Sequence, residues 1–260
     1  MSVKTAEQAA ANWLKAHGVR VAEPAPPLTA RLSPRCGKSV PEAVGPVAAV
    51  LTVLGAGILG YQFLRLLPGV ERADLPSGGY MSLMAAMVSM TAWLHRRAGD
   101  RRAAAQLGVR RLDRPRPPWR EVLGGWYVTS LAITFGGGAV LGIALAATGS
   151  LWGVFWLALL AVGAVVDAVI LTGVIRRPVL AQDESSLAVD VVTRLEDVQL
   201  ALPSLFAVPV VVDVVLEHPP GKPWLVGYVV LAVATHVVAW FAQRRRTPAL
   251  PVDGSYGVPA

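Results

Sequence analysis

Six apolar runs, separated by polar stretches in which arginine predominates, constrain this chain more than any other feature of it. They cover Val44–Leu64, Gly78–Leu94, Trp126–Thr148, Leu151–Ile175, Leu200–Leu216 and Trp224–Ala242. Crossing the ~30 Å hydrocarbon core of a bilayer takes about 20 helical residues. Lipid leaves no water for backbone groups, so a run that crosses must be helical. The fifth run is short and carries Pro203 and Pro209. Of the residues, 54% are apolar and 16% charged, against about 25% charged in an ordinary soluble domain. That balance excludes disordered, collagen-like and disulfide-scaffold chains. The expected fold is an all-α polytopic membrane bundle of six transmembrane helices.

Charge orients the bundle. With a cytoplasmic amino terminus, 21 of the 24 lysines and arginines fall on the inner side, and Arg65, Arg72 and Lys222 remain outside. Cytoplasmic loops carry such an excess of cations, and the split requires an even number of spans. Trp93, Trp119, Trp126 and Trp240 fall near the inner boundary, and Trp152, Trp156 and Trp224 near the outer one. The expected location is therefore the cell membrane, multi-pass, with both termini cytoplasmic.

The chain divides accordingly. Residues 1–42 form a proline-bearing cytoplasmic tail, in which Ala6 to His17 suits a short helix with Trp13 and Leu14 as an apolar edge, lying on the inner leaflet or mobile. Residues 43–95 form the first transmembrane hairpin and 96–125 a basic cytoplasmic loop with nine arginines. Residues 126–175 form the second hairpin, 176–199 a cytoplasmic amphipathic helix, 200–242 the third hairpin and 243–260 a cytoplasmic tail. No cleavable signal peptide is expected, the first run acting as an uncleaved anchor.

Several motifs suggest chemistry that their context denies. Gly55-Ala56-Gly57-Ile58-Leu59-Gly60 matches a dinucleotide fingerprint, with Asp74 near the spacing of a ribose-binding acid. That mechanism needs a strand, a glycine turn and a helix, then a second strand, and Pro68 to Ala73 is no buried strand. Gly37-Lys38-Ser39 resembles the end of a phosphate-binding loop, but Leu32 stands where its first glycine belongs. Met81, Met84, Met87 and Met90 recur every three residues. Steps of three drift around a helix, so flexible packing or an apolar surface suits them better than a soft-metal path. The lone Cys36 gives neither a disulfide nor a cysteine-based metal cluster. The basic loop has only Trp119 for stacking, which argues against nucleic acid and for contact with anionic lipid. No cofactor, metal or catalytic residue is expected, and the four histidines are too scattered to converge on an enzyme site.

Three constellations remain. Ala56 with Gly60, and Gly138 with Gly142, are small residues one turn apart that permit close helix packing. Asp167 and His236 lie at matching depth in the fourth and sixth runs, about 12 to 14 Å from the inner boundary. Ionisable groups inside spans are costly and usually serve function, so the two are expected as an intramembrane polar pair. In the segment before the fifth run, Asp183 or Ser185 can cap a helix. Leu187, Val191, Leu195, Val198 and Leu202 line its apolar face. Asp190, Arg194 and Asp197 line the other, with Asp190 four before Arg194 in the favourable order, and offer a docking face to the bundle ends or a partner. Pro203 then bends the chain into the membrane.

That segment, Leu180-Ala181-Gln182-Asp183-Glu184-Ser185-Ser186-Leu187-Ala188-Val189-Asp190 through Arg194 and ahead of Pro203, resembles a motif in uncharacterised multi-span proteins of high-GC actinobacteria. The resemblance covers the last four runs and carries no activity to transfer. More loosely, the layout is similar to six-span permease subunits of ATP-binding-cassette exporters, which have an amino-terminal cytoplasmic helix and a segment between spans two and three that meets an ATPase. The chain departs from these at Glu217–Pro223, too short for the outer helices many of them have. The expectation is a non-catalytic permease-like or accessory subunit of a transport assembly. Its partners would be the bilayer and a cytoplasmic ATPase or other subunit, with self-association left open. The alternative is a self-sufficient proton-coupled carrier using Asp167 and His236.

Overall fold

The computed structural model describes residues 3–37, 41–64, 66–68, 75–108, 115, 117–216 and 221–259. The chain opens with α1 (Val3–Ala16), the strand β1 (Val21–Pro24) and α2 (Pro26–Leu32). A tight turn over Ser33–Cys36 follows, and then α3 (Val44–Leu64) and α4 (Gly79–Leu107). The short α5 (Trp119–Leu123) leads into α6 (Gly125–Leu131), a widened π-helical stretch (Ala132–Gly137) and α7 (Gly138–Ala147), which together make one rod. Next come α8 (Leu151–Ile175) and α9 (Glu184–Val198). A 3-10 turn (Pro203–Phe206), α10 (Val210–Leu216), α11 (Lys222–Arg246) and β2 (Gly257–Pro259) complete the path.

Among the described residues, five helical stretches are long and apolar enough to cross a membrane: Val44–Leu64, Gly125–Ala147, Leu151–Ile175, Glu184–Val215 and Lys222–Arg246. Within the fourth, every charge but Asp213 lies at or before Asp197, so its apolar part is the run that begins near Leu200. The expected second run is instead the first half of the 29-residue α4. Tyr80, Ser82, Ser89 and His95 dilute its apolar character. The helix then continues through Arg96, Arg97, Arg101 and Arg102, where a loop was expected. Alanine, arginine and glutamine propagate helix well, and Gly108, at φ +51°, ends it.

The helices run up and down. The α7–α8 connection is the expected turn at Gly149, whose φ of +84° suits glycine. A second glycine, Gly153, lets α8 lie against the α7 backbone, since a Cβ there would sit 2.8 Å from the amide of Ala146. Trp152, Trp156, Leu160, Ile170, Phe206 and Leu225 fill the bundle core. At the π-helical stretch Tyr228 of α11 donates to the Thr134 carbonyl at 2.8 Å, tying the wide turn to the neighbouring helix. α3 packs on α4 at the edge of the bundle, and the buried Tyr61 donates to the Pro76 carbonyl.

At one end a separate polar cap encloses a second core. Trp13, Leu14, Leu28, Leu32, Val192 and Tyr256 pack there, drawn from the first forty residues, α9 and the carboxyl-terminal stretch. β1 and β2 pair antiparallel beside it, Val21 opposite Pro259 and Pro24 opposite Gly257. α1 therefore docks on protein. Its apolar edge is buried in the cap, neither on a leaflet nor loose, because the cap supplies the apolar surface that Trp13 and Leu14 need.

Candidate functional site

The most elaborate polar arrangement is the floor of this cap, where α2, α4 and α9 meet the stretch after α8. Asp183 begins α9 as its N-cap: its carboxylate accepts the Ser186 amide at 2.7 Å, and the Ser186 hydroxyl accepts the Asp183 amide at 3.0 Å. The helix so started presents Asp190, Arg194 and Asp197 at i, i+4 and i+7, on one face. Arg31 donates to Asp190 at 2.6 Å, and its Nε lies 3.1 Å from Asp100. Arg35 grips Asp197 with both terminal nitrogens, at 2.6 and 2.8 Å. Arg177 bridges Asp100 at 2.5 Å and Asp197 at 2.7 Å. Arg96 reaches Asp197 at 3.1 Å. Arg194 meets Asp190 at 3.0 Å, as the four-residue spacing predicts, and donates to the Val174 carbonyl at 2.6 Å.

These groups are buried: Arg31 is 1% exposed, and Asp190, Arg194 and Asp197 are 2% exposed each. The expected docking face is therefore occupied within the chain. The side chains face inward because the amino-terminal segment and α4 bring arginines to them, and the partner of α9 is the chain itself. The expected apolar stripe holds in part, with Leu195 and Val198 buried. Val191 is exposed, whereas Val189 and Val192 are fully buried, because α9 is wrapped on both faces.

Electrostatics follow from this geometry. Burial alone would raise the Asp190 carboxyl, but Arg31, Arg177 and Arg194 outweigh it and hold the group well below the usual carboxylate range. Asp197 is likewise held low against burial by Arg35, Arg177 and Arg96. Such bidentate, charge-assisted bonds are the strong ones. Removing one member leaves a buried charge short of a partner, and breaking a buried pair costs up to about 3–5 kcal/mol. At the edge of the network Glu196 accepts from Trp13 Nε1 at 3.1 Å and lies 3.4 Å from His17 Nε2. The hydrogen bond to Glu196 is the chief reason the His17 imidazole titrates above 6.5.

The two intramembrane ionisable residues are both placed toward the interior of the bundle, yet nothing joins them. Asp167 is 1% exposed, and neither of its carboxylate oxygens has a hydrogen-bond partner among the described residues; Nδ1 of His236 also has none there. No ion pair or hydrogen bond links Asp167 to His236, so the expected direct pair does not form. His236 turns toward Tyr127, with ring centroids 6.5 Å apart. The Tyr127 hydroxyl donates to the Ala201 carbonyl, at the break between α9 and the 3-10 turn.

The two small-residue pairs part company. A Cβ on Gly138 would lie 2.8 Å from Leu160 Cδ1, and one on Gly142 2.7 Å from Leu157, so both are close-packing positions. Ala56 and Gly60 are exposed, and nothing lies within 4 Å of a Cβ built on Gly60. Their packing role is corrected: α3 turns Tyr61, Ile58 and Leu64 toward its neighbours instead. Gly55 to Gly60 is helical throughout. Asp74, Lys38 and Ser39, on which the two nucleotide-motif readings turn, lie outside the described residues, as do Arg110, Arg111, Arg114 and Arg116 of the basic segment.

Sequence reasoning missed the role of Asp213. It is 1% exposed, and the amides of Ser77 and Gly78 donate to its Oδ1. A carboxylate there meets the positive end of the α4 dipole, which fixes α10 to the start of α4 at the end remote from the cap. An acid near the end of an apolar run was the available signal, and the anchoring of a helix amino terminus is one of its ordinary uses. Compared with protein-family models, with curated proteins and with solved structures, the chain matches none.

Proposed function

We propose that the chain is a six-span protein of the cell membrane, both termini on the cytoplasmic side, serving as a non-catalytic permease-like or accessory subunit of a transport assembly. The observation that carries this is the cap. Four stretches distant in sequence converge at one end of an apolar bundle, that end gathers the arginines, and no comparable polar structure is found among the described residues of the other end. The pairing of β1 with β2 holds residues 21–24 and 257–259 on one side, which supports an even number of crossings. α4 would then be the sixth span, its apolar half in lipid and its arginine half emerging into the cytoplasm. A buried, cross-linked cap suits a scaffold that transmits or receives force from a partner, an ATPase or another subunit, rather than a centre for bond chemistry.

Purification in mild detergent should recover a second protein in fixed ratio with this one; a monodisperse chain alone would refute the subunit reading. Orientation is tested separately at Cys36, which is exposed. An impermeant thiol reagent should label it only after the cells are opened, and labelling of intact cells would reverse the topology.

The unpartnered, buried carboxyl of Asp167 favours a second reading, a proton-coupled carrier in which Asp167 and His236 act in sequence across Tyr127 rather than as a bonded pair. Under it, Asp167→Asn abolishes pH-dependent transport in vesicles. Transport that persists unchanged removes this reading.

A further inference from the structure

A cleft of about 680 Å³ opens between the arginine half of α4 and the last three turns of α8. Its lower wall is apolar: Trp93, Val165 and Val169 line it, and Val165 and Val169 are 62% and 42% exposed, facing out from the bundle. Its rim carries Arg97, Arg101 and Arg176. These three are exposed, and none forms an ion pair with another described residue, whereas the arginines of the cap floor are all bonded to aspartates. Arg97 is held over the Trp93 ring at 4.8 Å. From Val165 to Arg176 is about 16 Å along the helix, the depth over which an acyl chain rises to its headgroup.

We infer that this cleft holds one anionic phospholipid of the inner leaflet, its phosphate at Arg97, Arg101 and Arg176 and an acyl chain along Trp93, Val165 and Val169. Guanidinium forks match phosphate geometry. Only a ligand with charge at one end and hydrocarbon at the other uses both walls of the cleft. A bound lipid would bridge α4, which enters the cap, to α8, which enters the bundle core. The inference rests on the membrane-spanning reading above.

The test is native mass spectrometry of the detergent-purified chain after exchange into micelles containing phosphatidylglycerol or phosphatidylethanolamine. One phosphatidylglycerol should be retained at least tenfold over phosphatidylethanolamine. The preference should disappear in the Arg97→Gln, Arg101→Gln, Arg176→Gln triple variant and survive in Arg244→Gln, Arg245→Gln. Val165→Trp, which fills the apolar wall and leaves every charge, should also release the lipid, and covers the case in which the triple variant does not fold. Equal retention of both lipids overturns the inference, as does a Val165→Trp or a folded triple variant that keeps its phosphatidylglycerol. So does displacement by glycerol 3-phosphate at lipid concentrations, since the headgroup alone would then suffice. Failure of the underlying reading is separate and visible earlier: the chain would be absent from the membrane fraction.

Discussion

The cap and the bundle bury the same residue type to the same degree and treat it in opposite ways. Asp190 and Asp197, in the cap, each meet two or more guanidinium groups. Asp167, in the bundle, meets no donor among the described residues. In the cap a carboxylate is a cross-link between distant parts of the chain, and its burial is offset by its partners. At Asp167 burial is not offset, and a polar group kept in an apolar site against that cost is one the fold does not require. Where charge is paired, the molecule is being held together; where it is left alone, function is the better place to look.

The sharpest way to break this contrast is to remove one partner from each region. Arg31→Met should strip Asp190 and Asp100 of a buried cation and lower stability by about 3–5 kcal/mol. Thermal unfolding in detergent should record the loss. Asp167→Asn, which takes no bond away, should leave the melting temperature unchanged or raise it. If the two variants melt alike, the distinction between structural and unpartnered aspartates collapses.

Packing offers a smaller version of the same comparison. Gly138→Ala places a methyl against Leu160 and Tyr228 and should cost about 1–3 kcal/mol, the usual range for overfilling a packed site. Gly60→Ala, on the open face of α3, should be neutral or slightly stabilising, because alanine favours helix. The sequence motif around the two glycines is the same, so equal effects would mean that the α3 face is covered in the membrane.

The smallest effect concerns the edge of the cap. His17 titrates above its ordinary 6.5 because Glu196 binds it. Its contribution to α1 docking is therefore complete below pH 6.5 and lost as pH rises through the higher folded value. At a partly exposed pair this is under about 1 kcal/mol. Hydrogen exchange in α1 should be faster at pH 8 than at pH 6 beyond the intrinsic rate difference, and His17→Gln should erase the change.

These contrasts also explain what could be read from the sequence. The apolar runs were legible because bilayer thickness sets their length, and α9 was legible because a cap residue and the helical period are local signals. The acid–arginine spacing within α9 correctly indicated a contact between Asp190 and Arg194. What lay opposite that face was not legible: Arg31 and Arg35 stand some 160 positions away, and no local pattern records a pairing at that distance. Ala56 and Gly60 mislead for the same reason, since a small-residue pair describes one helix and never its neighbour. Asp167 and His236 were placed at equal depth by counting residues, but whether two side chains bond is set by packing that a residue count does not contain.

The strand pair β1–β2 has a kinetic consequence. It joins residues on either side of every apolar helix, so the loop it closes contains the whole bundle. The entropy of closing so long a loop grows only logarithmically with its length, yet contacts of such sequence separation form late. Until the last helix is inserted, the amino-terminal arm has no β2 to zip against. Completion of the cap thus reports that membrane insertion has finished, and a chain stalled partway would display Trp13, Leu14 and its buried arginines to whatever inspects unfinished proteins.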